Sequence, residues 1–360
     1  MVVLFCLLLI SGIIAGQALD FSAAREGLGL ITSVCLAYIM IEVGLEFSAD
    51  KKDVRSYGWD FVTAAAAAVL PAVFWFIYFI AILKSAWQPA VLSGLSCAPT
   101  SAGVLFAMLL AAGLGGTWVF KKARTLAVLD DLVTILLLTP LQLVIHGLEW
   151  KSFVVVGIIV VCLFAAFRWQ NAWNWPVSEE WILLYAAVLT AGIYYVKRTT
   201  NIHLEVLIPA FTLGCLIDLR KGYRESQGKF LSFDVLIKSM FMFLVGLSFP
   251  RVAVAGHALG PMAIQVLILT VLSNLGKSFF LLCYRKEASL RQRLALSIAM
   301  FPRGEVGAAV LLIGLGYGLG GGATTLAMLS LAFNLTLTGV FIWLVIRLVR
   351  PSASSQESGG

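Results

Sequence analysis

The sequence predicts an all-α polytopic membrane protein of about twelve transmembrane helices, and three observations predict it. The first is composition: 60% of the residues are apolar and 12% charged, with mean hydropathy +0.95. A soluble domain carries about a quarter of its residues as Asp, Glu, Lys and Arg, so half that amount cannot coat a water-facing surface. The second is length. One crossing needs about 20 apolar residues, so 360 residues hold roughly a dozen crossings and leave no room for a soluble catalytic or regulatory domain. The third is a pair of proline and glycine interruptions inside apolar runs, Ala98-Pro99-Thr100-Ser101-Ala102-Gly103 and Phe301-Pro302-Arg303-Gly304-Glu305.

Taken in order, the apolar runs give helices at 1–16, 27–47, 59–83, 89–112, 124–146, 150–167, 181–196, 203–219, 235–249, 260–284, 293–317 and 323–349. The first ends in small residues, as a leader does, but has no basic n-region, so it reads as an ordinary or partly truncated helix. In it, Gly12 and Gly16 make a GxxxG that is either a packing or dimer face or a chance match. The second carries Glu42 near its end, either snorkelling to the rim or lining a cavity. The run Ala64–Ala68 in the third is either a smooth packing face or filler. The fourth and eleventh contain the interruptions, the fifth contains Asp130 and Asp131, and the tenth contains Lys277. Residues 351–360, PSASSQESGG, read as a disordered tail.

A repeat is visible at an offset of 202 residues: Val43-Gly44-Leu45-Glu46-Phe47 returns as Val245-Gly246-Leu247-Ser248-Phe249, Gly12 as Gly214, Gly58 as Gly260 and Val104 as Val306. Segments one to five then map onto eight to twelve. Residues 1–350 thus form a single transmembrane domain with repeat one at 1–146, linker helices at 150–196 and repeat two at 203–349. Five helices plus two is an odd number, so the second copy starts from the opposite side of the membrane, an inverted-topology repeat.

Loops on the side of the two termini hold 17 Lys and Arg against 6 on the other side, which places both termini in the cytoplasm by the positive-inside rule. The excess of Lys and Arg over Asp and Glu is therefore topological, and the absence of a basic-aromatic patch excludes a nucleic-acid partner. The six cysteines lie singly in apolar runs and the three histidines are scattered, which excludes zinc and disulfide frameworks. Gly316-Tyr317-Gly318-Leu319-Gly320-Gly321 fits G-x-G-x-x-G but follows no strand, and Gly94-Leu95-Ser96-Cys97-Ala98 lacks the context of a nucleophile elbow. With no H-E-x-x-H either, the chain is read as a transporter without a cofactor, not an enzyme.

Ionisable groups in a bilayer core cost about 2.5–3.5 kcal/mol each on insertion scales and mark function by default. The deepest are Asp130, Asp131, Lys277, Arg303 and Glu305. Asp130 and Lys277 each lie about 10 Å from the cytoplasmic face at 1.5 Å per residue, so the acids and the lysine either form a buried salt bridge or, with a shifted helix start, Asp130 and Asp131 cap the helix at the rim. The two aspartates point about 100° apart on a helix, so they take separate roles. Three negative groups against two positive leave a surplus of one negative charge, suited to one cation or to protons in its place. At offset 202 Ser101 falls on Arg303, so the breaks are repeat-equivalent, and paired interruptions of this kind point to a transporter's binding site. Their freed carbonyls and hydroxyls are hard oxygen ligands suited to a small alkali cation, while Arg303 and Glu305 can neutralise the partial charges of the half-helix ends.

These motifs resemble the monovalent cation:proton antiporter superfamily. Leu129-Asp130-Asp131, Ala98-Pro99-Thr100-Ser101, Gly276-Lys277, Pro302-Arg303-Gly304-Glu305 and Val43-Gly44-Leu45-Glu46-Phe47 carry the resemblance, which covers nearly the whole chain, and the aspartate pair with a lysine looks most like the electrogenic, NapA-type sodium/proton antiporters. The resemblance implies a homodimer in a bacterial inner membrane, with a core of helices three to five and ten to twelve moving against a dimerisation domain. It implies that Asp131 is the main carrier of Na⁺ and H⁺, with Asp130 and Thr100 as further Na⁺ ligands and Asp130 paired to Lys277, and that Thr100 and Ser101 line crossed breaks of discontinuous helices four and eleven. The expected activity is exchange of Na⁺ or Li⁺ for protons; the alternatives are K⁺/H⁺ exchange and sodium-coupled symport of an organic anion. Two departures stand out. Relatives with a Thr-Asp pair at the helix-four break have a carboxylate where Ser101 stands, which leaves ion selectivity open, and NapA-type chains have a further helix before the first one found here.

Overall fold

The computed structural model describes residues 2–19, 24–46, 54–146, 150–200, 204–217, 233–249 and 259–354. Phe47, the loop cations Lys51, Lys52, Arg220, Lys221, Arg224, Lys229 and Arg251, and residues 355–360 of the expected tail lie outside them. Among the described residues the chain is all-helical, with fourteen α-helices and one isolated bridge, Trp173 to Ile217.

Every predicted segment is present, but two are split. The fourth is α4 (Trp87–Ser96) and α5 (Ala102–Ala111), and the eleventh is α12 (Leu290–Ala299) and α13 (Glu305–Gly316). Each half-helix before a break is ten residues long, about 15 Å, half the roughly 30 Å of a bilayer core. The others are α1 (Val2–Ala18), α2 (Arg25–Glu46), α3 (Val54–Ile77), α6 (Trp118–His146), α7 (Trp150–Arg168), α8 (Glu179–Thr200), α9 (Leu207–Leu216), α10 (Phe233–Leu247), α11 (Leu259–Lys277) and α14 (Gly322–Ser354). A π-helical turn, Tyr78–Ile82, prolongs α3, and a 3₁₀ turn, Ser278–Leu281, prolongs α11. Residues 351–354 of the expected tail continue α14. Among the described residues four stretches are long and apolar enough to cross a membrane by length and composition: Glu26–Leu45, Gly58–Ile82, Gly260–Leu281 and Gly322–Val349. The glycine lookalike after α13 is a turn between helices, with Gly318 at φ 75° and Gly321 at φ 131°.

The chain divides into two compact units. One contains α3 to α5, α6 up to Leu138, and α11 to α14; these are the segments that the resemblance assigns to the core. The other contains α1 from Leu7 onward, α2, the end of α6 from Thr139, and α7 to α10.

In the first unit, α11 packs on α3 and α14, and α4, α12 and α13 pack on α14. The Trp75 indole donates to Leu269 O at 2.8 Å, and Gly276 lies against the Pro71 ring. Ala68, in the alanine run, packs with Ala98 and Val133, so that run serves close approach of α3 to the first break and to α6. In the second unit two helix pairs cross on glycines. A Cβ at Gly44 of α2 would sit 2.2 Å from Phe211 O of α9, and one at Gly214 of α9 would sit 2.2 Å from Ile41 O. The crossing of α1 and α10 has the same form, with Gly12 facing Phe243 O and Gly246 facing Leu9 O, both at 2.2 Å. Offset 202 exchanges the two crossings, since Gly12 maps to Gly214 and Gly44 to Gly246. Gly12 and Gly16 both face α10, which makes the GxxxG a packing face within the chain.

Candidate ion-binding site

Asp130, Asp131, Lys277, Thr100, Ser101, Arg303 and Glu305 are all buried in the first unit. Asp130 stands on α6, which begins at Trp118, six residues before the expected start at 124. The carboxylate is therefore about 18 Å along the helix, too deep to cap it. Lys277 is the last residue of α11, where the helix dipole favours a cation. Its Nζ donates to Asp130 Oδ2 at 2.5 Å, and neither side chain has any exposed surface. Two charges out of water are tolerated only as a close, hydrogen-bonded pair. Asp131, the next residue, is buried beside it.

The two breaks meet at this pair. The Thr100 hydroxyl donates to Asp130 Oδ2 at 2.9 Å and has Met300 O, just past the end of α12, within reach at 3.1 Å. The Ser101 N–H donates to Pro302 O at 2.9 Å. Arg303 Nη1 donates to Ala98 O and Pro99 O at 3.1 and 3.2 Å, and its Nη2 donates to Ser273 O at 3.2 Å. Its positive charge thus lies on the carbonyls past the C-terminal end of α4, where the dipole is negative. Glu305 begins α13, where the dipole is positive, and its Oε2 accepts from the Ser101 hydroxyl at 2.9 Å. Of the two hydroxyls expected to line the breaks, Ser101 is directed to Glu305 and Thr100 reaches Asp130.

Asp130 Oδ1 has no hydrogen-bond partner among the described residues. A buried carboxylate oxygen in that condition is open to a further partner, a water or an ion. The donors around it are carboxylate, hydroxyl and carbonyl oxygens, hard ligands that fit an alkali cation. No group of three or more His, Cys, Asp or Glu able to hold a metal occurs among the described residues.

Sequence reasoning missed two groups and the partner of a third residue, Glu42. Asn334 accepts from the Arg303 N–H at 3.0 Å and donates to Asn274 Oδ1 at 3.4 Å; the only signal was an amide inside an apolar helix. Asp60 pairs with Lys122 at 2.9 Å and accepts from the Tyr284 hydroxyl at 2.7 Å, with Lys122 4.3 Å above the tyrosine ring and 3.4 Å from Glu287. In the second unit Lys238 bridges Glu42 at 2.9 Å and Asp234 at 2.6 Å, so Glu42 is held in an ion pair.

Interrupted helices whose broken ends enclose buried carboxylates and a lysine define a class, the secondary transporters that carry ions through unwound helix pairs. The model for the transmembrane sodium/hydrogen exchanger family matches residues 2–347, and the chain belongs to that family, within the monovalent cation:proton antiporters. It is 24% identical over 357 residues to the high-affinity Na⁺/H⁺ antiporter NhaS3 of Synechocystis sp., covering 94% of this chain and 75% of that one. Its fold is similar to that of the sodium proton antiporter MjNhaP1 from Methanocaldococcus jannaschii, with TM-score 0.62, 14% identity, and 95% of this chain and 92% of that chain covered.

Proposed function

We infer that the protein is a secondary antiporter that exchanges cytoplasmic Na⁺ or Li⁺ for external protons at Asp131 and Asp130. The observation that carries the reading is the buried Lys277–Asp130–Thr100 contact at the meeting of the two breaks, in a chain of the exchanger family. NhaS3 and MjNhaP1, by their names sodium/proton antiporters, support the choice of ions.

The chemistry follows from charge. Asp131 binds either the cation or a proton, never both, and that competition enforces exchange. Na⁺ arriving at the unpartnered Oδ1 of Asp130 competes with Lys277 for one carboxylate; protonation of Asp130 releases the lysine in the same way. A proton on each of Asp131 and Asp130 in place of one Na⁺ leaves the loaded site one charge more positive, so exchange of two protons for one Na⁺ is electrogenic. Access alternates as the unit with the breaks moves. The working form is a homodimer in a bacterial inner membrane, with both termini cytoplasmic.

The test is purified protein in vesicles with an imposed pH gradient. Wild type collapses the gradient on addition of Na⁺ or Li⁺, and Asp131→Asn does not. Collapse by K⁺ alone would make the protein a potassium exchanger, and Na⁺ flux that requires an organic anion would make it a symporter; an active Asp131→Asn would remove the carrier assigned here. Lys277→Gln loses net charge movement, and if it still generates a Na⁺-dependent membrane potential the role of the lysine is wrong.

A further inference from the structure

The most informative group that the exchange reading leaves unused is Asn334 on α14. Buried at 1% exposure, it is the positional counterpart of Asp130 in the second repeat. The offset drifts from 202 at the first helices to 204 at the last, so Trp118 at the start of α6 matches Gly322 at the start of α14, and Asp130 matches Asn334. The local bonding matches too: the Thr134 hydroxyl donates to Asp130 O at 2.9 Å, and the Thr338 hydroxyl donates to Asn334 O at 3.3 Å. Each side chain then reaches a break. Asp130 takes the Thr100 hydroxyl of the first, and Asn334 takes the Arg303 N–H of the second. Asp130 also contacts Lys277 of α11, while Asn334 contacts Asn274 of the same helix, three residues earlier.

The orientation of the amide is fixed by chemistry. A backbone N–H only donates, so the oxygen of Asn334 faces Arg303 and its NH₂ faces α11. What this holds is sensitive to small shifts. A Cβ at Gly304, the next residue, would lie 2.5 Å from Ser101 Oγ, so the second break has little room to move toward the first. The guanidinium of Arg303 meanwhile spans to Ala98 O and Pro99 O, beside Thr100, and to Ser273 O on α11. We propose that Asn334 is a positioning residue for the ion site, acting through Arg303 to hold the second break, and with it the Thr100 end of the first, in register with Asp130.

This inference rests on the exchange reading for its transport readout but has a second readout that does not. Cys97 closes α4 just before the break and donates to Gly94 O at 3.1 Å, so its reaction with a small thiol reagent reports loosening there. The experiment uses the full chain, with the other five cysteines replaced for the labelling arm. Asn334→Leu keeps the size and removes the acceptor; Asn334→Asp keeps both shape and acceptor oxygen. Leaving the Arg303 N–H without a partner should raise the Na⁺ concentration for half-maximal gradient collapse about tenfold and speed Cys97 labelling about tenfold, with the maximal rate changed less than threefold. Asn334→Asp should bring both back to within about threefold of wild type, because the acceptor is restored. If Asn334→Leu does not fold, Asn334→Ala takes its place with the same expectations. Either readout within about twofold of wild type in the acceptor-less variant, or an aspartate variant as impaired as the leucine, overturns the proposal. Wild-type vesicles without cation-dependent collapse would instead fail the exchange reading, and the Cys97 rate alone would then decide the role of Asn334.

Discussion

Lys277 and Asp130 have no exposed surface, so each is tolerated only because the other is there. Removing one member of a buried pair costs about 3–5 kcal/mol, because the remaining charge is left without compensation. Lys277→Met alone should therefore lower the thermal stability of the purified protein, and the double variant Asp130→Asn/Lys277→Met should recover most of the loss. A double variant no more stable than the single one would show that the pair does not hold the site together. This energetic rule also explains which residues were legible in the sequence. Asp130, Asp131, Lys277, Arg303 and Glu305 stood out because charge in an apolar run is costly. Asn334 and Asn274 did not, because a neutral hydrogen-bonded amide costs far less to bury than a charge. The pairing of Ser101 with Glu305, and not with the aspartates, was also unreadable: it depends on how the two breaks approach each other, which no local pattern encodes.

At the scale of elements, the breaks were legible because proline removes a backbone hydrogen bond wherever it falls. The start of α6 was not. Lys121 and Lys122 read as a loop, yet Lys122 lies inside the helix because Asp60, Glu287 and the Tyr284 ring receive its charge. The glycine matches at offset 202 were visible in the sequence, but that they pair crosswise, Gly12 with Gly246 and Gly44 with Gly214, needed the fold. Those crossings carry a prediction of unusual sign. Glycine to alanine inside a helix ordinarily stabilises by about 1 kcal/mol. At Gly44 or Gly214 a Cβ would meet a carbonyl oxygen at 2.2 Å, and the helices must separate at a cost of about 1–3 kcal/mol. Gly44→Ala and Gly214→Ala should each lower the melting temperature, whereas Gly192→Ala in α8, with nothing within 4 Å, should hold or raise it. Equal behaviour of the three variants in a thermal-unfolding series would remove the crossings as the cause of the glycines.

For the whole molecule, the composition set the class, while the division into two units was readable only through the family resemblance and not from any local pattern, because it gathers segments distant in sequence: α3 to α5 with α11 to α14. The direction in which the chain sits in the membrane rests on a different kind of information, the distribution of cations over loops. The side of the termini holds 17 Lys and Arg, and the other side holds 6. Each basic residue in a short loop resists translocation, and acidic residues offset this little, so the bias supports the proposed orientation with both termini cytoplasmic. Some of these cations are not simple loop charges: Lys122 is bonded to Asp60, and Arg293 donates to Leu281 O. Subtracting both still leaves 15 against 6, so the sign of the bias is unchanged. A green fluorescent protein fused after Gly360 should therefore fluoresce in a bacterial host, and alkaline phosphatase fused at the same point should be inactive. The reverse pair of results would invert the protein, and with it the side from which the proposed site at Asp130 and Asp131 is loaded with Na⁺.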